Sequence, residues 1–363
     1  MIKTSFPESW GWNAFFDIQV NTSEQDPSWH IARVINQEKN LYKLQVDLQS
    51  TKLGQISGKF AFENGERPQG FPCVGDWVLC HYETQDDRAL IHQVLKRKSC
   101  FYRATSTGDQ LVASNIDTVF VVSSANSDLS LNRLDRYLAV VWDSGASPVI
   151  VLSKTDLCED LDGLMQDIET RHIGVPIVPV NMEDLTTLKG LEPYLKPAST
   201  SVLLGSSGVG KSTLTNALLG EDIGLTQGIR EDDEKGRHTT TSRQLYILPQ
   251  GALLMDTPGM RSLALSDHQD GLDHQFAEIV ELAARCKFSD CRHETEPGCK
   301  IQAALESDEL DFDQWQSYLK LQKEVYSAMV RKDRALLQQE QQKWKQISKD
   351  LRVRLKNKKK GII

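Results

Sequence analysis

Residues 205–212 have the sequence GSSGVGKS, which matches the pattern G-x-x-x-x-G-K-[ST]. The apolar stretch SVLL precedes it and STLTNALLG follows it, so the pattern lies between a predicted strand and a predicted helix. Glycines in such a loop let backbone N–H groups surround phosphates, and the N-terminal end of the helix adds positive partial charge. Lys211 would reach the terminal phosphates, and the hydroxyl of Ser212 would ligate magnesium. The segment therefore predicts a site for a nucleoside triphosphate with Mg²⁺.

A second segment, LLMDTPG, adds a strand that ends in a carboxylate. Asp256 at the end of that strand is suited to hold Mg²⁺ through water, and the backbone N–H of Gly259 would meet the terminal phosphate. The pattern D-x-x-G is short, and it gains weight because it follows a phosphate loop. The predicted phosphate and magnesium contacts are Gly205, Ser206, Ser207, Gly208, Val209, Gly210, Lys211, Ser212, Thr213, Asp256 and Gly259.

The stretch SPVIVLSKTD predicts a strand and a turn that would select the base. A carboxylate has only acceptors, and guanine offers two adjacent donors, whereas adenine presents an acceptor at that edge. Asp156 would therefore favour guanine, while the aliphatic stem of Lys154 would lie along the base or ribose. The alternative is an ordinary strand-to-helix turn in which Asp156 caps the helix. The predicted base-binding residues are Ser153, Lys154, Thr155 and Asp156.

Ser153 departs from the familiar pattern N-K-x-D, which has asparagine at this position. An asparagine amide can donate and accept at once and so tie the turn to the phosphate loop. A serine hydroxyl is shorter and does less. We expect guanine specificity to survive through Asp156, with looser nucleotide binding.

A cluster of cysteines and one histidine follows the pattern C-x4-C-x-H-x5-C, formed by Cys286, Cys291, His293 and Cys299. Three thiolates and one imidazole are a full tetrahedral set for structural zinc and leave no open position for catalysis. The alternative is free buried thiols near an unrelated histidine. The cluster also favours a reducing cytoplasm over a disulfide framework.

The elements that must position these groups fall into three predicted domains. Residues 1–110 contain an N-terminal segment and five short strands between about 29 and 100, which fit an all-β OB-fold barrel, although an SH3-like barrel fits nearly as well. Residues 111–271 alternate strands and helices, as in an α/β domain with a mostly parallel sheet. Residues 272–363 are predicted to be helical around the Cys/His cluster. Aromatic side chains that would either stack on RNA or fill the barrel core are Tyr42, Phe60, Phe62, Trp77 and Tyr82.

Charge is distributed unevenly along the chain of 363 residues, whose net charge is −8. From Lys320 to the last residue there are fourteen Lys or Arg against four Asp or Glu, so this segment carries +10 and the remainder −18. Such a segment is typical of a basic arm that docks on a polyanion, or of a solvated helix end. The sequence has no run of 18 apolar residues and no leader pattern, so we expect no membrane partner.

The order SKTD, then phosphate loop, then DTPG is a circular permutation of the small-GTPase arrangement. With VGDWV, LVASNIDTVFVV, KGRHTTTSRQL and CKFSDCRHETEPGC, the chain closely resembles the RsgA (YjeQ) family of GTPases that depend on the small ribosomal subunit. The resemblance implies an N-terminal OB-fold, a circularly permuted P-loop GTPase domain and a C-terminal zinc-binding domain. It also implies binding to the small subunit and its rRNA during late maturation.

The resemblance places the first switch at KGRHTTT. We expect Thr240, or else Thr239, to close over Mg²⁺ when the third phosphate is present. Met260 stands where many GTPases have a glutamine that orients the attacking water, so unassisted hydrolysis should be slow. The resemblance makes His238 a candidate replacement, and the alternative role is a loop histidine that bonds backbone groups.

Three functions remain open on the sequence. The first is a cytoplasmic GTPase, monomeric when not on the ribosome, that converts GTP to GDP and phosphate under stimulation by the small subunit. The second is an rRNA-binding assembly factor for which GTP is an occupancy switch and hydrolysis is incidental. The third is a P-loop ATPase or small-molecule kinase.

Overall fold

The structure is a computed structural model that describes residues 8–21, 26–38, 41–65, 70–105, 108–220, 243–256 and 269–329. The strands are β1 His30–Glu38, β2 Leu41–Gln45, β3 Thr51–Ile56, β4 Trp77–His81, β5 Arg88–Val94, β6 Cys100–Thr105, β7 Gly108–Ser114, β8 Thr118–Ser124, β9 Ser147–Ser153, β10 Ile177–Pro179, β11 Thr200–Leu204, β12 Arg243–Ile247 and β13 Leu253–Asp256. The helices are α1 Ala14–Asn21, α2 Gly58–Asn64, α3 Leu131–Ser144, α4 Leu161–Arg171, α5 Lys211–Leu219, α6 Asp270–Gln275, α7 Ala277–Ala284, α8 Lys300–Glu306 and α9 312–329.

The first five strands form a closed barrel. Strands β1, β2, β3, β5 and β4 pair in that order, and β4 pairs back to β1, which closes the ring. The β3–β5 pairing is parallel and the other four are antiparallel. This connectivity confirms the five-stranded OB-like barrel predicted from the sequence.

Three of the five aromatic residues considered for RNA stacking lie in the core. Trp77, Tyr42 and Phe60 are at most 6% exposed. Phe62 on α2 is 90% exposed, and Tyr82 is partly exposed with the Lys52 ammonium 5.3 Å from its ring centre. The core alternative therefore holds for the three buried rings. Tyr42 packs inside the barrel, Trp77 packs on the opposite face of its strand against Phe16 of α1, and Phe60 lies on α2.

The segment VGDWV contains one member of a buried ion pair, Asp76. Both carboxylate oxygens of Asp76 accept hydrogen bonds from the Arg97 guanidinium, at 2.8 and 2.7 Å, and the backbone N–H of Cys73 and the hydroxyl of Ser114 also donate to it. Gly75 precedes it with φ +96°, and a Cβ there would lie 2.1 Å from the Ser114 carbonyl oxygen. Only glycine therefore fits beside this pair.

The α/β part contains strands in the order β10-β9-β8-β11-β13-β12, of which the first five are parallel and β12 is antiparallel to β13. Every residue of β8 after the first is buried. Val119 and Val121 pack in one core with α3, and Phe120 and Val122 pack in another with α5. Covered faces of this kind are typical of parallel sheets and confirm the predicted α/β domain.

The barrel and the α/β part share one 11-stranded sheet, because β1 pairs with β12 through Asn36↔Gln244 and Gln37↔Arg243. The buried Arg33 on β1 donates to the hydroxyl of Thr200 on β11 at 2.8 Å, to the carbonyl of Trp10, and lies 5.3 Å from the centre of the Trp77 ring. Burial lowers the pKa of Arg33 to about 10, so it remains charged at neutral pH. A barrel side chain thus contacts the first residue of the strand that leads to the phosphate loop.

The C-terminal helices contact α3 and α4 through a polar network that is buried at Asp135 and Arg171 and partly exposed at Asp311 and Glu324. Arg171 at the end of α4 donates to Asp135 on α3 at 2.6 Å and to Asp311 before α9 at 3.3 Å. Arg136 on α3 also pairs with Glu324 on α9. Among the helices that the structure describes, none combines the length and apolar character needed to span a bilayer.

His172 follows Arg171 and gives this network a pH dependence. Its Nδ1 lies 3.0 Å from the Gln275 amide nitrogen and 3.6 Å from Asp135, and burial lowers the pKa of His172 to about 4. The unfolded chain takes up a proton below about 6.5, whereas the folded chain resists it. The buried neutral His172 therefore makes its full contribution to the free energy of unfolding above about pH 6.5. This free energy falls by up to about 3 kcal/mol as the pH drops towards about 4.

We expect the urea midpoint of the wild-type chain to fall more steeply between about pH 7.5 and about pH 5 than that of His172→Gln. The variant loses packing at both pH values but has no imidazole to protonate. Circular dichroism at matched protein concentrations measures both midpoints. Equal pH slopes in the two proteins would show that His172 does not carry this dependence.

Candidate nucleotide site and metal cluster

The phosphate loop connects β11 to α5. Gly205 begins it with φ +157°, and a Cβ there would lie 2.2 Å from the carbonyl oxygen of Val122 on the neighbouring strand. Gly208 and Gly210 also have positive φ, at +78° and +89°. The three glycines let the loop turn tightly and leave the N-terminal end of α5, which begins at Lys211, directed at the loop.

The residues that are predicted to bind phosphate and Mg²⁺ meet at the carboxyl edge of the sheet. The Lys211 ammonium donates to the carbonyl of Gly205 at 2.9 Å and to that of Ser206, so it lies across the loop. Ser212 is exposed in the first turn of α5, and Asp256 ends β13, the parallel neighbour of β11. Adjacent parallel strands place Ser212 and Asp256 at the same edge, as expected for residues that share one hydrated Mg²⁺.

Ser153 joins the turn after β9 to the phosphate loop. Its buried hydroxyl lies 2.7 Å from the Val209 carbonyl oxygen and 3.3 Å from that of Ser123. A hydroxyl has one proton, and the shorter contact assigns it to Val209. The serine therefore makes the connection for which the familiar pattern uses asparagine.

The rest of the turn leaves Asp156 open to solvent. Lys154 adopts the left-handed region with φ +56°, and Thr155–Leu157 form a single 3₁₀ turn in which Asp156 is exposed. The cap of α4 is Asp160, whose carboxylate accepts from the N–H of Gly163 at 2.9 Å. The capping role considered for Asp156 thus belongs to another aspartate.

The remaining nucleotide-site predictions lie outside the described residues. They are His238, Thr239, Thr240, Gly259 and Met260. Their predicted roles stay predictions.

The Cys/His cluster brings four ligand atoms within 4.8 Å of one another. His293 Nδ1 lies 3.5 Å from the sulfurs of both Cys286 and Cys299, and these sulfurs are 4.0 Å apart. Tetrahedral zinc with Zn–S bonds of about 2.3 Å separates its sulfurs by about 3.8 Å, so the spacing fits zinc. Backbone N–H groups of Lys300 and Gln302 point at the two sulfurs, at 3.3 and 3.4 Å.

The electrostatics of the cluster also favour a cation. Desolvation and the neighbouring thiols of Cys299 and Cys286 raise the pKa of Cys291 to about 11, whereas the backbone N–H groups of Lys300 and Ile301 outweigh desolvation and lower the pKa of Cys286. Three thiolates this close repel one another unless a cation lies between them. The cluster is compatible with zinc, and all four predicted ligands are together.

Comparison with known proteins places the chain in a family. A family model described as RsgA GTPase matches residues 94–266, and one described as 50S ribosome-binding GTPase matches residues 200–363. The "Small ribosomal subunit biogenesis GTPase RsgA 2" of Lactiplantibacillus plantarum is 46% identical over 81% of this chain and 83% of that protein. The chain belongs to the RsgA GTPase family. The "Small ribosomal subunit biogenesis GTPase RsgA" of Methanosarcina acetivorans is 38% identical over 94% of this chain and 91% of its own.

Solved structures support the RsgA architecture. YjeQ from Thermotoga maritima matches with a TM-score of 0.62 at 26% identity, over 83% of this chain and 99% of that chain. YloQ, titled a circularly permuted GTPase, matches with a TM-score of 0.58 at 26% identity, over 84% of this chain and 96% of its own. The predicted permuted GTPase fold, with a barrel before it and a Cys/His cluster after it, is confirmed.

Two residues that no sequence motif marks contact the phosphate loop of this RsgA-family chain. Arg133 and Tyr137 on α3 each lie within hydrogen-bond distance of the Ser206 hydroxyl, at 3.2 and 3.3 Å. The residues around them show only the period of an amphipathic helix. No motif marks a contact between residues about seventy positions apart.

We expect Ser153→Ala to weaken binding of both GDP and GTP. The variant leaves the Val209 carbonyl without its donor and frees the predicted base-binding turn from the loop, a loss of about 1 kcal/mol or roughly fivefold in Kd. Titration of fluorescent nucleotide measures it. Ser147→Ala at the exposed start of β9 is the matched control, and an unchanged Kd in Ser153→Ala would refute the connection.

Proposed function

We propose that this chain is a GTPase that binds the small ribosomal subunit, assists its late maturation, and hydrolyses GTP to GDP and phosphate under stimulation by that subunit. The observation that carries the proposal is the contact of Ser153 with Val209, which joins the turn proposed to bind the base to the phosphate loop. RsgA relatives are named for small-subunit biogenesis, which supports the choice of partner.

Each group at the site has a proposed task. Lys211 and the loop N–H groups bind the β- and γ-phosphates, and Asp156 accepts from guanine. Ser212 and Asp256 would hold Mg²⁺ with Thr240, and the ion would neutralise charge on the terminal phosphates. Asp156 is exposed at the end of its turn and so is accessible to a base.

The catalytic water would be controlled by the switch that contains His238 and Thr240. Met260 has no group that can donate to or accept from water, so the proposal assigns orientation of the water to His238 once the switch docks on the subunit. The same methionine favours a second candidate function, an rRNA-binding factor controlled by GTP occupancy with only incidental hydrolysis.

The contact with rRNA is assigned to the basic segment that begins at Lys320 on α9 and to exposed groups of the barrel such as Phe62. The segment carries +10 in an otherwise acidic chain, which suits a phosphate backbone. The acidic remainder disfavours RNA elsewhere on the surface. We assign the protein to the cytoplasm, where immature subunits are found, as a monomer when not bound to them.

We expect purified small subunits to raise the GTP turnover rate at least tenfold, an effect of about 1.4 kcal/mol on the barrier. Lys211→Ala should abolish turnover, whereas Lys189→Ala, an exposed lysine away from the loop, should retain it. The rate of phosphate release measures turnover. Parallel assays replace GTP by ATP, or small subunits by large subunits.

Each alternative has its own signature in that assay. Binding to small subunits that depends on GTP, with an unchanged rate, supports the occupancy switch. Faster turnover of ATP than of GTP supports the ATPase. Stimulation by large subunits alone would match the second family description and contradict the proposed partner.

We further propose that Cys286, Cys291, His293 and Cys299 hold one structural Zn²⁺. The ion would join the segment before α8 to its first turn, since Cys299 is the N-cap of α8. A zinc site with four protein ligands stabilises the fold and supplies no open position for chemistry.

We expect about one zinc per chain by atomic absorption, and a loss of most of it in Cys286→Ser. The thermal midpoint should fall in the same variant because metal binding contributes to folding free energy. Cys158→Ser, which alters a cysteine outside the cluster, should keep both the metal and the midpoint. Equal zinc in the two variants would refute the assignment.

A further inference from the structure

The Ser206 hydroxyl, on the second residue of the phosphate loop, is held from the side by α3. The Arg133 guanidinium lies 3.2 Å from it and the Tyr137 hydroxyl 3.3 Å. Residues four apart occupy one face of a helix, so both side chains approach Ser206 from the same direction. Lys211 bonds the carbonyl of Ser206 from the other end of the loop. The cationic side chains of Arg133 and Lys211 thus both form hydrogen bonds with Ser206.

The position of Arg133 is fixed by the fold around it. Ser130 caps α3 by accepting from the Arg133 N–H, and the guanidinium also donates to the Asp128 carbonyl. β8 leads into α3 and is the direct neighbour of β11, so the start of α3 and the phosphate loop lie side by side. Buried Leu134 and Leu138 anchor the helix in the core.

Arg133 differs from the other arginines near α3 in its partners. Arg136 pairs with Glu324, and Arg171 pairs with Asp135. Within the described ranges, no carboxylate lies within ion-pair distance of Arg133, whose contacts are a hydroxyl and a carbonyl. A half-buried guanidinium without a carboxylate, beside a loop built for phosphates, leaves its charge available to a phosphate anion.

We propose that Arg133 is a positioning residue of the phosphate loop, which it holds through Ser206, and that its charge favours the triphosphate over the diphosphate. Tyr137 supports the same hydroxyl without adding charge. GTP carries more negative charge than GDP, so a cation beside the loop stabilises GTP more. The proposal rests on the proposed nucleotide site and adds to it a determinant of preference between GTP and GDP.

The test compares Kd for GDP and for a non-hydrolysable GTP analogue, with Mg²⁺, in full-length variants. We expect Arg133→Gln to reduce the preference for the triphosphate roughly fivefold, and Arg133→Lys to restore part of it. Tyr137→Phe should raise the Kd of both nucleotides by the same factor. Arg136→Gln, which alters the next cation along α3, should leave the ratio unchanged.

A double-mutant cycle tests the route through Ser206. If Arg133 acts through this hydroxyl, the effects of Arg133→Gln and Ser206→Ala on GDP affinity are less than additive. Additive effects, or a ratio unchanged in Arg133→Gln, would overturn the proposal. If Arg133→Gln does not fold, Ser206→Ala, which keeps the loop backbone, still measures how much the contact with this hydroxyl contributes to nucleotide affinity. Wild-type chain that binds no GTP would instead refute the nucleotide site itself.

Discussion

A parallel sheet places the carboxyl ends of all its strands at one edge, and the nucleotide site depends on this constraint. β9, β8, β11 and β13 run parallel, so the turn after β9, the phosphate loop after β11 and Asp256 at the end of β13 meet at that edge. The order in which the chain visits the strands does not alter this arrangement. The permuted chain therefore brings the turn that is predicted to bind the base against the phosphate loop, where Ser153 contacts Val209.

Local spacing in the sequence predicted the features whose chemistry is local. The phosphate loop and the Cys/His cluster each occupy fewer than fifteen consecutive residues, and the structure brings the cluster together as the spacing required. The barrel strands also followed from alternation. Alternation does not say what covers each face of a strand, so it could not show that Tyr42 packs inside the barrel and Trp77 against α1.

Contacts between distant parts of the chain could not be predicted from the sequence. Ser153 looked like a weakened substitute for asparagine, because nothing local shows that Val209 comes within 2.7 Å of its hydroxyl. Asp160 and Asp156 are equally plausible caps by composition, and only the backbone at the end of β9 decides between them. Arg133 is likewise one cation among several on α3, and its position beside Ser206 follows from the neighbouring placement of β8 and β11.

The pairing of β1 with β12 has a consequence for the independence of the two units it connects. β12 has β13 on one side and the barrel on the other, so its outer backbone groups bond to Asn36 and Gln37. A fragment that began near residue 111 would expose this side of β12 as an open sheet edge, which invites pairing with a second copy. The barrel therefore also protects the rest of the protein against self-association, a role that needs no contact with RNA.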